Sequence, residues 1–203
     1  MSNTKSAGGR PSKARVAEIN QNIILATLRA YADHGGELNV QDVAQAAGVS
    51  KQAIYRRWPS KLELIIDAVE TGMDMFLSYF ADDLPASPIE ALKVLARRLY
   101  DGDRVFATRF ALSMDAHGAV EPQLRERFDD WERRSIAPIV AAVESLHMAC
   151  GLPDHSVAEK AQLIIDLFNG AGLRVSLKRS TSDEERGRVF DTTWEYARRM
   201  LLA

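Results

Sequence analysis

The stretch from Asn39 to Lys61 constrains this chain more than any other, because it sets two helix signals around a single glycine. Val40, Val43, Ala44 and Ala47 fall on one stripe, the spacing of a helix with one buried face. Gly48 can take the left-handed conformation that ends a helix at little cost. Ser50 is a good N-cap for a second helix. Val49 before it and Ile54 after it are placed as a hydrophobic staple, which fixes the angle at which that helix starts. The result is a helix-turn-helix with Ile54 and Trp58 inward and Lys51, Gln52, Tyr55, Arg56 and Arg57 outward. An ordinary helical hairpin with a charged surface shares the periodicity. The added turn, cap, staple and basic outer face favour a helix that fits a DNA major groove.

The exposed residues carry the chemistry such a helix needs. Arg56, Arg57 and Lys61 can neutralise phosphates and release counterions. The Tyr55 phenol can donate to a phosphate. Lys51 and Gln52 lie at the helix N-terminus, which meets the groove first; lysine can donate to guanine acceptors and glutamine can pair with adenine. Ser50 and Gln41 join this candidate DNA-facing set, together with Arg10. That arginine stands in Gly9-Arg10-Pro11, within a small, polar, basic arm at residues 1–13. A flexible arm of this kind can lie in a narrow minor groove or remain a solvated tail. Charge follows the same division. Residues 1–61 hold nine Lys or Arg against four Asp or Glu, net +5, and the remainder is net −7. A basic head on an acidic body suits a protein that presents one end to phosphate.

Around the motif the pattern is helical throughout. A first helix runs from about Ala14 to His34 with a wide stripe that includes Ile19, Ile23, Ala26 and Ala30, enough to cover both motif helices. Ser60-Lys61-Leu62-Glu63 is a capping box opening a long helix that links head to body. Ser87-Pro88-Ile89-Glu90 and Ser182-Asp183-Glu184-Glu185 are two more boxes. Pro122 starts another helix, with Pro138 inside it, and helical segments follow at about 155–179 and 183–202. No strand-like alternation stands out. The expected fold is all-α: a flexible arm at 1–13, a three-helix helix-turn-helix domain at 14–60, and a helical-bundle domain at 61–203.

The segment from Ile23 to Val69 resembles the DNA-binding domain of the TetR (tetracycline-repressor-like) family of bacterial transcription regulators. The resemblance is carried by Ile23-Ile24-Leu25-Ala26, Asp42-Val43-Ala44, Ala47-Gly48-Val49-Ser50, and Ile54-Tyr55 with Trp58-Pro59-Ser60-Lys61. It departs at residues 35–39, Gly-Gly-Glu-Leu-Asn, where the family usually has Thr or Ser; Asn39 can still cap, but a hydroxyl contact to phosphate is lost there. The resemblance implies that Gln41, Lys51 and Gln52 face bases while Tyr55, Arg57 and Lys61 hold the backbone. It also implies a dimer through the last two helices, a small-molecule pocket inside the body, and a long connecting helix that moves on ligand binding. Ala158, Ala161, Gly170, Ala171 and Gly172 would let helices approach closely in such a dimer, and a charge at Ala161 or Ala197 would split it.

Phe76, Phe80, Leu99, Phe106, Phe110, Met114, Trp131 and Phe168 lie on apolar faces of several body helices and can wall a cavity for a mainly hydrophobic effector. Arg109, His117, Asn169 and Arg174 are the polar candidates beside them, and plain core is the competing reading. Four scattered histidines, no phosphate loop and no nucleophile elbow argue for neither a metal, a cofactor nor catalysis. Cys150, the single cysteine, is expected to be buried and inert. No apolar run is long enough for a membrane span and the N-terminus lacks a secretory pattern, so the cytoplasm is expected. The expected function is a ligand-responsive repressor that binds a palindromic double-stranded operator as a homodimer. A ligand-independent regulator or activator, or a cytosolic helical enzyme or binding protein with a borrowed head, are the alternatives.

Overall fold

Side-chain caps mark where the first helices begin. The computed structural model describes residues 12–151, 156–178 and 180–202; Arg10 and the rest of the arm up to residue 11 lie outside them. Helix α1 (Lys13–His34) starts behind Ser12, whose hydroxyl accepts from Arg15 N at 3.2 Å. Helix α2 (Val40–Ala46) starts behind Asn39, which accepts from Gln41 N at 2.9 Å. Helix α3 (Lys51–Tyr55) follows Ser50, which accepts from Ala53 N at 3.2 Å, and the turn before it places Gly48 at φ 67°. Helix α4 (Lys61–Ala81) follows Ser60, which accepts from Glu63 N at 3.1 Å.

The body adds α5 (Pro88–Asp101), α6 (Arg104–Gly118), α7 (Pro122–Cys150), α8 (Val157–Leu177) and α9 (Asp183–Leu201). The box at Ser182 forms, with Glu185 N donating to its hydroxyl at 3.2 Å. The box at Ser87 does not: its side chain makes no cap bond. Pro88 at the first helical position presets φ and carries no N–H, so that helix starts without the side-chain cap. Among the described residues there is no strand, and no helix is long and apolar enough to cross a membrane.

Two apolar cores organise the helices, and they meet along α4. The first gathers α1, α2 and α3 around fully buried Ile23, Tyr31 and Ile54, and takes in Leu64 to Met73 of α4, Phe110 and Met114 of α6 and Leu124 of α7. The second packs α5, the distal half of α7, α8 and α9 around Leu92, Leu95, Ile139, Ile164 and Phe168, and reaches α4 through Phe80. A Cβ at Gly72 would lie 2.9 Å from Leu28 Cδ2, so α1 and α4 approach closely there. The apolar packing therefore divides within α4, between Met73 and Phe80, rather than at its first residue.

Two expectations about burial change. Cys150 is exposed: it is the last residue of α7, where Gly151 turns the chain at φ 65°. Ala161, Ala171 and Ala197 are buried within the single chain, in the body core, and Gly172 is buried against Tyr100 and Arg104. A charge at Ala161 or Ala197 would thus disrupt the subunit itself. The outward stripe of α8 is instead Leu163, Leu167 and Gly170, with Tyr196 exposed on α9.

Candidate nucleic-acid interface

The recognition face is built by burying one side of α3 and leaving the other free. Ile54 is fully buried and Trp58 nearly so, with Trp58 Nε1 donating to Asp67 at 2.7 Å and so tying the end of the motif to α4. Lys51, Gln52, Tyr55 and Arg56 are left exposed, as is Gln41 on α2. Lys51 Nζ stands 5.8 Å from the centre of the Tyr55 ring, one turn along, so the two form one cationic and phenolic edge. Ser50 spends its hydroxyl as the cap of α3. Arg57 is half-buried and folds back to donate to Ala53 O at 2.7 Å, and Lys61 donates to Gly36 O at 2.7 Å. Both cations are therefore anchored to backbone, with their other donors left for an anion. Lys61 also stands at the first position of α4, the positive end of a 21-residue helix dipole.

Behind this face the head is joined to the body by contacts that sequence reasoning missed. Tyr31 of α1 is fully buried, and its hydroxyl lies 3.3 Å from Ser113 O and 3.2 Å from His117 Nδ1, both on α6. Burial pushes the Tyr31 phenol up to about 12. A Cβ at Gly36 would sit 2.8 Å from His117 Nε2, so the turn after α1 rests on the imidazole. Arg109 of α6 pairs with Asp33 of α1 at 2.7 Å. His117 and Arg109, expected beside a ligand, thus belong to this joint. The available signal was that Tyr31 flanks the α1 stripe; nothing in the spacing pointed to its partner.

The remaining pocket candidates fall into two groups. Phe76, Phe80, Leu99 and Phe168 pack in or on the body core, and Phe106, Phe110, Met114 and Trp131 in or on the head-side core. One seam joins them: Phe76 stacks on Phe80 at 5.2 Å and meets Trp131 edge-on at 5.7 Å. Phe168 turns away toward α9, 5.5 Å from Phe190 and 6.4 Å from Trp194. Asn169 accepts from Arg104 Nη1 at 2.7 Å, and Arg174 is exposed. Arg104 is buried without a carboxylate partner among the described residues, and desolvation lowers its pKa.

The model of the tetR family of bacterial regulatory proteins matches residues 23–68, the segment holding the second half of α1, all of α2 and α3, and the first turns of α4. Over these residues the chain carries a tetR-type DNA-binding head. The chain is 44% identical over 52 residues to uncharacterised HTH-type transcriptional regulators of Mycobacterium bovis and Mycobacterium tuberculosis. That alignment takes in 25% of this chain and 26% of theirs, so the chain spans about a quarter of the length of the curated relatives it matches. The fold likeness extends over the body. A TetR transcription regulator of Haloarcula marismortui superposes with TM-score 0.69 at 20% identity, covering 90% of this chain and 98% of that one. The Bacillus subtilis transcriptional regulator FadR in complex with stearoyl-CoA gives 0.67 at 17%, over 87% and 96%. A candidate transcriptional regulator of Saccharomonospora viridis in complex with choline gives 0.68 at 22%, over 86% and 95%.

Proposed function

We propose that this chain is a ligand-responsive repressor of the tetR family that binds a palindromic double-stranded operator as a homodimer in the cytoplasm. The observation that carries the reading is the exposed edge of Lys51, Gln52, Tyr55 and Arg56 on a helix held by the Ser50 cap and the buried Ile54. Gln41, Lys51 and Gln52 read bases; Tyr55, Arg56, Arg57 and Lys61 hold phosphates, and Arg10 reaches the minor groove. The selection of bound fragments from random genomic DNA tests it. With the recovered site, Lys51→Ala or Gln52→Ala relaxes base preference by about 1–3 kcal/mol, whereas Arg56→Ala weakens all sequences alike and flattens the log–log salt slope by about 0.9. Equal affinity for every duplex, unchanged by these substitutions, sinks the reading.

The homodimer reading is supported by the outward stripe of α8 and α9. Leu163 and Leu167 are 47% and 38% exposed in the single chain, Tyr196 is 67% exposed, and a Cβ at Gly170 would enter open space. A two-fold pair covers such a stripe with its own copy and matches a palindromic site. Sedimentation is expected to show a dimer that Leu167→Glu converts to a monomer of 22.5 kDa. A wild-type monomer at micromolar concentration overturns this part. The effector reading is supported by the aromatic seam at Phe76, Phe80 and Trp131, and by ligands held by proteins of the same fold, choline in one and stearoyl-CoA in another. In this reading a ligand that favours the DNA-incompetent state shifts α4 and releases the operator.

A further inference from the structure

Two successive glycines, Gly35 and Gly36, carry the chain from α1 into the turn that precedes α2. Gly35 takes φ 54° and ψ −139°, a conformation that side chains disfavour, and two glycines in a row give the backbone little stiffness of its own. Support comes from α6. A Cβ at Gly35 would stand 3.7 Å from Ser113 Cβ, an ordinary contact. One at Gly36 would lie 2.8 Å from His117 Nε2, 2.9 Å from Cε1 and 3.0 Å from Cδ2. The bare Cα of Gly36 therefore sits directly against the imidazole.

The imidazole is itself held. Tyr31 is fully buried and its hydroxyl lies 3.2 Å from His117 Nδ1, so the ring is pinned at one nitrogen while the other meets the turn. A side chain with a free end swings aside when pressed; this one has a partner to lose. Gly36 in turn holds Lys61, whose Nζ donates to the Gly36 carbonyl oxygen at 2.7 Å. A continuous line of contacts thus runs from Tyr31 through His117 and Gly36 to Lys61, an exposed cation of the DNA-facing set. A lysine stem is flexible and loses rotamer freedom when its ammonium is fixed on a phosphate. The bond to Gly36 O takes up part of that loss before DNA arrives.

We propose that His117, on a helix of the body, is a positioning residue for DNA binding: it seats the Gly36 peptide, whose carbonyl holds the Lys61 ammonium ready for a phosphate. This role rests on the reading of Lys61 as a phosphate contact and assigns part of the affinity to a residue outside the DNA-facing set. Truncating the imidazole leaves Lys61 its charge and its reach. The number of neutralised phosphates then stays the same, and what rises is the cost of ordering the lysine. Loss of Lys61 differs, because it removes one phosphate contact outright.

Fluorescence anisotropy of the full chain on a labelled duplex of random sequence, across a salt series, reads both quantities. Lys61→Ala is expected to flatten the log–log salt slope by about 0.9. His117→Ala is expected to weaken binding about fivefold with the slope kept, and to have no further effect in a chain that already carries Lys61→Ala. Gly36→Ala drives a methyl against the imidazole, is expected to give the same pattern, and serves if truncation at His117 unfolds the head. A loss from His117→Ala or Gly36→Ala that is equal with and without Lys61, or wild-type affinity in both variants, overturns the role. A second measurement needs no DNA. The Lys61 ammonium cross-peak in proton–nitrogen correlation spectra, slowed in exchange by its acceptor, is expected in the wild type and lost in His117→Ala. If the cross-peak behaves so while the duplex does not bind, the seat stands and the DNA reading falls. If the duplex binds with a slope that depends on Lys61 while cross-peak and affinity ignore His117, the DNA reading stands and the positioning role falls.

Discussion

All four helices that build the head core from α1 to α4 start behind a side-chain cap, as do α6 and α9 of the body, behind Asp103 and Ser182, whereas α5, α7 and α8 start without one. The cap matters most where the helix is short. Helices α2 and α3 have seven and five residues, far below what is stable alone, so each depends on its cap and on a few buried side chains for position. Helices α5, α7 and α8 have 14, 29 and 21 residues and bury broad stripes, so area holds them and no single terminal bond is decisive. The two short motif helices are positioned by local bonds and the long uncapped body helices by shared surface. A reader of DNA needs the first, because a recognition helix must keep its angle. In the proposed reading, a body that answers a ligand benefits from the second, because packed helices can shift while staying buried.

The comparison breaks most readily at the core. Ile54→Ala in the head and Leu95→Ala in the body both truncate fully buried side chains and are expected to cost about 2–5 kcal/mol. Urea unfolding followed in single-tryptophan variants that keep Trp58 or Trp194 is expected to show Ile54→Ala lowering the Trp58 transition ahead of the Trp194 transition. Coincident transitions would mean that head and body melt as one unit.

The joint between the two is probed next by pH. Tyr31 has a folded pKa raised above its ordinary value of 10.0, to about 12. The neutral phenol therefore contributes stability that is complete below pH 10 and is lost as pH rises from 10 through 12, by about 2–3 kcal/mol. Denaturation midpoints between pH 9 and 12 should fall in the wild type more steeply than in Tyr31→Phe. Parallel pH profiles would show that the phenol is not held by the joint.

The smallest effect sharpens the contrast in caps. Ser50→Ala removes a formed cap and should cost about 1 kcal/mol of head stability, with a matching loss in operator affinity. Ser87→Ala removes a hydroxyl that makes no cap bond and should leave the melting temperature unchanged. Equal losses at the two positions would remove the distinction.

Element starts were the most legible part of the chain. Asn39, Ser50, Ser60 and Ser182 act as the caps their spacing predicts, because a cap is a bond across two or three residues and is fully written in local sequence. The outward set on α3 was legible for the same reason: one helix, one buried face. What periodicity does not contain is the identity of the surface that covers an apolar stripe. His117 and Arg109 stand on an α6 that reads as body, yet they meet Tyr31 and Asp33 of α1. Ala161 and Ala197 look like contact points for a second chain and are instead consumed in the body core of the single chain. Cys150 follows an apolar run but falls on the terminal turn, where the chain end exposes it. Each difference arises from long-range packing.

The position of the seam along α4 has a consequence for transplantation. A chimera that joins this head to another body at residue 61 would inherit a half-built interior. The transplanted α1 would lack Leu64, Ile65 and Val69 beneath it and would meet foreign side chains in place of Phe110, Met114 and Leu124. A graft that carries α4 as far as Met73, together with the α6 face bearing Phe110, Ser113, Met114 and His117, transfers the interior with its outer lock. The exchangeable part of this molecule is thus larger than its DNA-facing motif and discontinuous in sequence.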